Sequence, residues 1–213
     1  MDVLLINPNT NDDTTAKMVA IAAAAMPDLR FLGRTAPFGP NMIVEPIALA
    51  ESARAVEVMA QDVGGAAGVI VAAFGDPGLD AVRARLDVPV IGIGEASILD
   101  AARDGRRFAI ATTTPALVDP IAARVAHYGC AGSFAGTFLT PGDPNAIVAD
   151  PGLLADALTA AARRAIAEGG AEAVIIGGGP LAAAAHVIST RLGAAIVEPI
   201  PAAARLIAER LSV

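Results

Sequence analysis

Cysteine is nearly absent from this chain of 213 residues, with Cys130 the only one. That excludes an intrachain disulfide framework and a cysteine-built zinc cage, and it makes a reducing cytoplasm the expected compartment. Histidine is scarce as well. His127 and His186 stand far apart in no ligand-like spacing, so no metal site is expected. The single lysine lies in Thr15-Ala16-Lys17-Met18-Val19, without the glycines that cradle phosphates. Schiff-base and P-loop chemistry therefore find no support, and no cofactor is expected. Aromatic residues are 3% of the chain and tryptophan is missing, which leaves few platforms for stacking bases. A net charge of −7 argues further against nucleic acid as a partner. No apolar run approaches the roughly 20 residues needed to span a bilayer. The start, Met1-Asp2-Val3-Leu4-Leu5-Ile6, has an acidic residue where a secretory leader is basic, so it reads as a buried strand and no membrane association is expected.

What the sequence does have is small apolar side chains. Hydrophobic residues make up 54% and charged residues 17%, with a mean hydropathy of +0.58, enough for one large core or two small ones. Short Val/Ile/Leu/Ala runs alternate with longer Ala-rich segments carrying spaced charges, the pattern of parallel strands covered by helices. Strands are expected at Val3–Ile6, Arg30–Leu32, Gly68–Ala73, Val90–Gly94, Phe108–Ala111, Ala135–Thr137, Ala173–Gly177 and Ala195–Val197. Helices are expected at Asp13–Ala25, Ile47–Asp62, Leu79–Leu86, Glu95–Asp104, Pro115–Tyr128, Gly152–Glu168, Pro180–Leu192 and Ile200–Leu211. The class is α/β. Apolar helix faces such as Ile47–Met59 point to a homo-oligomer.

An internal repeat appears when the second half is slid over the first. Val3-Leu4-Leu5-Ile6-Asn7 matches Phe108-Ala109-Ile110-Ala111-Thr112 at an offset of 105, and Val69-Ile70-Val71 matches Val174-Ile175-Ile176 at the same offset. The stretch from Leu86 to Ile91 matches Leu192 to Val197 at 106. Two pseudosymmetric Rossmann-like lobes are expected, 1–97 with 200–213 and 98–199. Ligands of open parallel sheets bind beyond the carboxyl ends of the strands, so those ends are expected to line one cleft between the lobes.

The strand ends carry the chemistry. The first strand delivers Asn7, Asn9 and Thr10, and its counterpart delivers Thr112, Thr113 and Thr114. Such neutral donors beside a helix start can hold a carboxylate or a urea-like carbonyl, or Thr10, Asn11 and Thr114 can simply cap the next helix. Ala73-Phe74-Gly75-Asp76 and Gly178-Gly179-Pro180 are small-residue turns with backbone N–H groups able to face an anion; tight turning alone also accounts for their glycines. Gly92-Ile93-Gly94-Glu95-Ala96-Ser97 mimics a dinucleotide fingerprint, but Ser97 stands at the third glycine position, so a nicotinamide cofactor is rejected. Four side chains are candidate acids or bases. Asp76 reads as a site acid or as a cap near Gly78, and Glu95 as a site carboxylate or a charge complementing a helix dipole. Glu198 has no evident capping role and is the better candidate of the two glutamates. His186 reads as a general base or as a helix-face residue.

Taken in order, Asn7-Pro8-Asn9-Thr10, Phe74-Gly75-Asp76-Pro77-Gly78-Leu79, the segment from Pro89 to Ala96, the Thr112-Thr113 turn and the segment from Gly170 to Gly177 resemble the hydantoin racemase branch of the aspartate/glutamate/hydantoin racemase superfamily. The resemblance covers essentially the whole chain. It implies a two-lobed fold whose C-terminal helix packs back on the first lobe. It also implies cofactor-free proton transfer next to a carbonyl by two cysteine thiols on opposite faces of the substrate. Those thiols would stand just before Phe74 and just after Gly177, where this chain has Ala73 and Gly178. What the resemblance leaves is an enzyme acting on a small carboxylate or cyclic ureide through an enolate-type intermediate, without two-thiol racemisation. The donors would be Asn7, Asn9, Thr10, Thr112, Thr113, Thr114 and the backbone of Ala73–Gly75 and Gly178–Pro180. A lyase, decarboxylase or hydrolase on the same fold, or an inactive binder of such molecules, stays open beside it.

Overall fold

The computed structural model describes residues 1–178, 181, 184–185, 188, 192 and 194–211, with Pro144 and Asn145 described by backbone alone. Contacts divide the chain into two compact units, Met1–Ala96 together with the segment from Ile200 onward, and Ser97–Pro199.

In the first unit β1 (Asp2–Asn7), α1 (Asp12–Ala25), β2 (Arg30–Thr35), α2 (Pro46–Met59), β3 (Gly68–Val71), α3 (Leu79–Arg83) and β4 (Val90–Gly92) alternate. The four strands are parallel, in the order β2-β1-β3-β4. β3 is buried along its length, as a strand covered on both faces must be. Leu4, Ile6, Val69 and Val71 pack with Val56, Met59, Leu79 and Val82 in one core. α4 (Ile93–Ala101) follows β4 directly, and the last helix, α8 (Pro199–Leu211), returns to this unit. Ile207 of α8 lies so close to β3 that a Cβ on Gly68 would stand 3.0 Å from its Cδ1.

The second unit holds β5 (Phe108–Thr112), α5 (Val118–His127), β6 (Phe134–Leu139), α6 (Pro144–Ala149), α7 (Pro151–Ala167), β7 (Ala173–Ile176) and β8 (Ala195–Val197). Its sheet order, β6-β5-β7-β8, is that of the first unit. Ala109, Ala111, Val174 and Ile176 pack with Leu154, Leu158 and Ala162. The repeat read from the sequence extends to strand registers. Val3 pairs with Gly68 as Phe108 pairs with Ala173, both displaced by 105, while Val69 pairs with Val90 and Val174 with Ile196, the latter displaced by 106. Single turn bonds repeat too. Ala72 N–H donates to Ile6 O at 2.8 Å and Gly177 N–H to Ala111 O at 2.9 Å; Asp76 N–H donates to Ala73 O at 2.9 Å and Leu181 N–H to Gly178 O at 3.1 Å.

Several elements begin or end a few residues from where they were expected, and three differences have a local cause. The fourth strand ends at Gly92 and its helix begins at Ile93, two residues earlier than the glycines suggested. The buried carboxylate of Asp76, which accepts from the N–H groups of Gly94 and Glu95, accounts for the shift. The expected helix from Pro115 opens as a 3-10 turn, Pro115–Leu117, before α5, because Thr114 makes no capping bond. α6 was not expected. It forms because Asp143 accepts from Ala146 N–H at 3.2 Å and Pro144 stands in the first turn, where its missing N–H costs nothing. Most of the helix expected over Pro180–Leu192 lies outside the described residues.

Candidate active site at the strand ends

β1 ends in Asn7, whose side chain is completely buried. Its Nδ2 donates to Asn9 Oδ1 at 2.9 Å, Thr15 Oγ1 at 2.9 Å and Asn11 O at 3.1 Å. Its Oδ1 accepts from Asn9 N–H at 3.2 Å. Thr15 Oγ1 lies 2.7 Å from Thr35 Oγ1, so one polar cluster ties together the ends of β1 and β2 and the first turn of α1. Asn11 caps α1 by accepting from Thr14 N–H at 2.9 Å. Thr10 is thereby relieved of the capping role that the sequence left open to it, and it holds Pro40 O through its backbone N–H at 3.1 Å. Asn9 is 6% exposed. Its Oδ1 accepts from Asn7 and from Asn11 N–H at 2.9 Å, and among the described residues its Nδ2 has no partner.

After β3 come half-buried Ala73, buried Phe74, half-buried Gly75 and fully buried Asp76. Asp76 adopts the left-handed conformation, φ 47°, uncommon for a residue with a side chain. Its Oδ1 accepts from Gly94 N–H at 2.8 Å and its Oδ2 from Glu95 N–H at 2.7 Å. The cap foreseen for Gly78 is thus made 18 residues away, at the start of α4. Such a cap starts the helix immediately and satisfies donors that burial would leave orphaned. It also explains Gly92 and Gly94. A Cβ on Gly92 would stand 2.1 Å from Asp76 Oδ1, and one on Gly94 would stand 2.2 Å from Phe74 O. The fingerprint-like glycines therefore make room for a carboxylate of the protein itself.

Glu95 has a charge partner. Its Oε2 lies 2.6 Å from Arg83 Nη2, and it accepts weakly from Gly92 N–H at 3.4 Å. Arg83 also donates from Nε and Nη2 to Val90 O, at 3.0 and 2.7 Å. Both side chains line a cavity of about 500 Å³ beside β4, with Pro89, Ile91 and Arg210. Asn7, Asn9 and the Phe74–Gly75 turn are not among its walls, so Glu95 is drawn to the strand edge and away from the donors at the strand ends.

The second unit has hydroxyls where the first has amides. Thr112 Oγ1 donates to Gly177 O at 3.0 Å and lies 3.2 Å from Thr114 Oγ1. Thr113 is 4% exposed, and Thr140, just after β6, is buried, its hydroxyl without a partner among the described residues. Gly178 has φ 142°, and a Cβ built on it would come within 3.1 Å of Leu181 Cγ. Glu198, half-buried, stands immediately after β8 at the carboxyl end of its sheet. Gly179, Pro180 and His186 lie outside the described residues. Cys130 falls between α5 and β6, at the opposite end of the sheet from Thr112, with Sγ donating to Tyr128 O at 3.4 Å. Burial pushes its thiol pKa up, the reverse of what a reactive cysteine needs.

Thr15, Thr35, Arg83 and Thr140 were not foreseen. Asn11 and Thr14 have helix-cap spacing that can be read in sequence, but nothing local marks Thr35 or Arg83 as partners of residues 20 and 12 positions away. Among the described residues no group of three His, Cys, Asp or Glu side chains could hold a metal, and no helix is long and apolar enough to cross a membrane.

Comparison with known proteins adds an independent line. A family model described as Asp/Glu/Hydantoin racemase matches residues 3–207. Hydantoin racemase of Paenarthrobacter aurescens is 29% identical over 211 residues, covering 97% of this chain and 89% of the relative. Hydantoin racemase of Pseudomonas sp. (strain NS671) is 28% identical, with coverages of 95% and 82%. Among solved structures, allantoin racemase from Klebsiella pneumoniae superposes with a TM-score of 0.92 at 28% identity, covering all of this chain and 88% of that one. Arylmalonate decarboxylase, at 21% identity and a TM-score of 0.64, covers 99% and 92% and shares the fold.

Proposed function

Because the chain belongs to the Asp/Glu/hydantoin racemase family, we propose that it is a cofactor-independent enzyme acting on a small carboxylate or cyclic ureide, hydantoin and allantoin being the model substrates, through an enolate-type intermediate. The observation that carries this reading is that each unit, taken by itself, carries a buried neutral donor just after its first strand, Asn9 after β1 and Thr113 after β5. Withdrawing a proton or carbon dioxide from a carbon next to a carbonyl puts negative charge on the carbonyl oxygen. Preset amide and hydroxyl donors stabilise that charge without reorganising. Ala73 and Gly178 bear no acid or base where the resemblance calls for thiols, so proton transfer falls to another group, and each such transfer is worth about 10²–10⁴-fold. Asp76 and Glu95 are committed to the α4 start and to Arg83. Glu198, half-buried at the carboxyl end of its sheet, is the carboxylate proposed to serve.

Incubation with hydantoins, allantoin, aspartate and arylmalonates in deuterated solvent, followed by optical rotation and product mass, tests the proposal. Turnover or Cα deuteration of one substrate class is expected, and Glu198→Gln lowers it more than Glu95→Gln. Absence of both across the panel, with ligand still bound, overturns the enzymatic reading in favour of a binding protein. That second reading is favoured by one observation, the lack of an acid or base at positions 73 and 178. The proposal also places the protein in the cytoplasm, as its single half-buried cysteine suits. It is read as a homo-oligomer through α2, where Ile47 is 77% and Val58 45% exposed; light scattering reads its mass.

A further inference from the structure

The two asparagines at the end of β1 do different jobs. In an isolated amide the oxygen and nitrogen ends are interchangeable by rotation, but backbone groups have fixed polarity. Asn9 N–H requires an acceptor and Asn11 C=O requires a donor, so Asn7 must present Oδ1 to the first and Nδ2 to the second, at 3.2 and 3.1 Å. Asn7 Nδ2 then faces Asn9 at 2.9 Å, and Asn11 N–H approaches the same Asn9 atom at 2.9 Å. Two donors converging on one atom make that atom Oδ1. Asn9 Nδ2 is consequently turned away from the cluster with two protons that no described residue accepts, on a residue only 6% exposed.

We infer that Asn9 is a specificity-determining residue that accepts only a hydrogen-bond acceptor from the ligand, a carbonyl, carboxylate or enolate oxygen and never a ring N–H, and that Asn7 is the positioning residue that enforces this polarity. The inference rests on the functional reading above and narrows it. Asn7, buried and saturated, does not touch the ligand. A ligand whose oxygens are replaced by poorer acceptors loses the contact with Asn9 while keeping its shape.

The test uses hydantoin and 2,4-dithiohydantoin as probes, with binding measured by calorimetry and by ¹⁵N-edited spectra of the unmodified protein. The chain has five asparagines and one glutamine, so the side-chain amide pairs are few enough to assign. Hydantoin is expected to shift the Asn9 NH₂ pair and leave the Asn7 pair in place. The native protein should prefer hydantoin over its dithio analogue by about tenfold, the scale of one neutral hydrogen bond. Asn9→Asp keeps the acceptor atom but removes both outward protons, and should weaken hydantoin binding by about ten- to a hundredfold. Asn7→Asp should drive the preference between the two probes toward one, whereas a merely structural lesion weakens both alike. Hydantoin bound with an unmoved Asn9 pair, or with undiminished affinity in Asn9→Asp, overturns the inference and leaves the site reading intact. Failure of the native protein to bind hydantoin, allantoin, aspartate or an arylmalonate overturns the site reading and the inference together. Should a variant not fold, the spectra of the native protein decide.

Discussion

The two units run the same backbone course and begin the helix after their fourth strand in opposite ways. In the first, the N–H groups of Gly94 and Glu95 are met by the carboxylate of Asp76. Displacement by 105 and 106 places Leu181 opposite Asp76, and Pro199, Ile200 and Pro201 opposite Ile93, Gly94 and Glu95. The second helix start therefore has proline at two of its first three positions, and proline has no N–H to satisfy. Of the two donors that Asp76 meets, the counterpart of the Glu95 N–H is therefore missing at Pro201, Ile200 keeps the counterpart of the Gly94 N–H, and Leu181, at the position of Asp76, is a buried apolar residue with no carboxylate to offer. The shape of a fold can thus be repeated while the polar groups at a helix start differ, because each buried donor that a proline takes away is one fewer to be met.

The largest effect should come from forcing the first unit's helix start apart. Gly94→Ala sets a Cβ 2.2 Å from the carbonyl oxygen of Phe74, which cannot rotate aside. A loss above about 3 kcal/mol in urea unfolding is expected, while Ile200→Ala at the equivalent place should cost only its lost packing.

Exchanging the two devices comes next. Asp76→Leu deprives two buried N–H groups of the carboxylate they donate to and should cost about 2–4 kcal/mol, and Leu181→Asp should cost a similar amount by burying a carboxylate in the second unit's apolar core. If Asp76→Leu proved neutral, the clamp would not be what starts α4.

Thiols offer a smaller contrast between the units. Ala73→Cys, at a half-buried turn, should change the melting temperature little, whereas Gly178→Cys meets both the left-handed backbone at φ 142° and Leu181 and should cost about 1–3 kcal/mol. The double variant should raise exchange of a substrate Cα proton with deuterated solvent. Unchanged exchange in a folded, ligand-binding double variant would mean that the site is built for other chemistry.

The smallest effect lies at the exposed start of β1. Arg30 donates to Asp2 through Nε at 2.7 Å, and that hydrogen bond holds the Asp2 carboxyl below its usual pKa. A depressed carboxyl stabilises the folded state above its ordinary pKa and loses that contribution as pH falls through the folded value. Acid unfolding of Arg30→Ala should show a slightly shallower dependence on pH below about 4, the ordinary range for an aspartate. Both groups are open to solvent, so salt should erase the difference.

Much of this was legible in one dimension. Strand runs such as Val69-Ile70-Val71 are continuous because both faces of a parallel strand are covered, and the duplication showed itself because equivalent strands need similar volumes. The polar ends were legible as residue types and not as roles. Asn7, Asn9 and Thr112 stood out as donors at strand ends, but nothing in their order tells a saturated amide from one with protons to spare. Asp76 and Glu95 looked like site acids because the groups that occupy them, Gly94 N–H and Arg83, lie 18 and 12 positions away.

The sequence alone determined the α/β class, the twofold repeat, the family and the absence of a cysteine at positions 73 and 178, since each rests on residue identity and on local periodicity. Only the tertiary structure decided that Gly92 and Gly94 make room for Asp76, that Gly178 has a backbone hostile to a side chain, and that Asn9 offers N–H and not C=O. Hydrogen-bond polarity and steric clearance are properties of atoms brought together by folding, and no spacing along the chain encodes them.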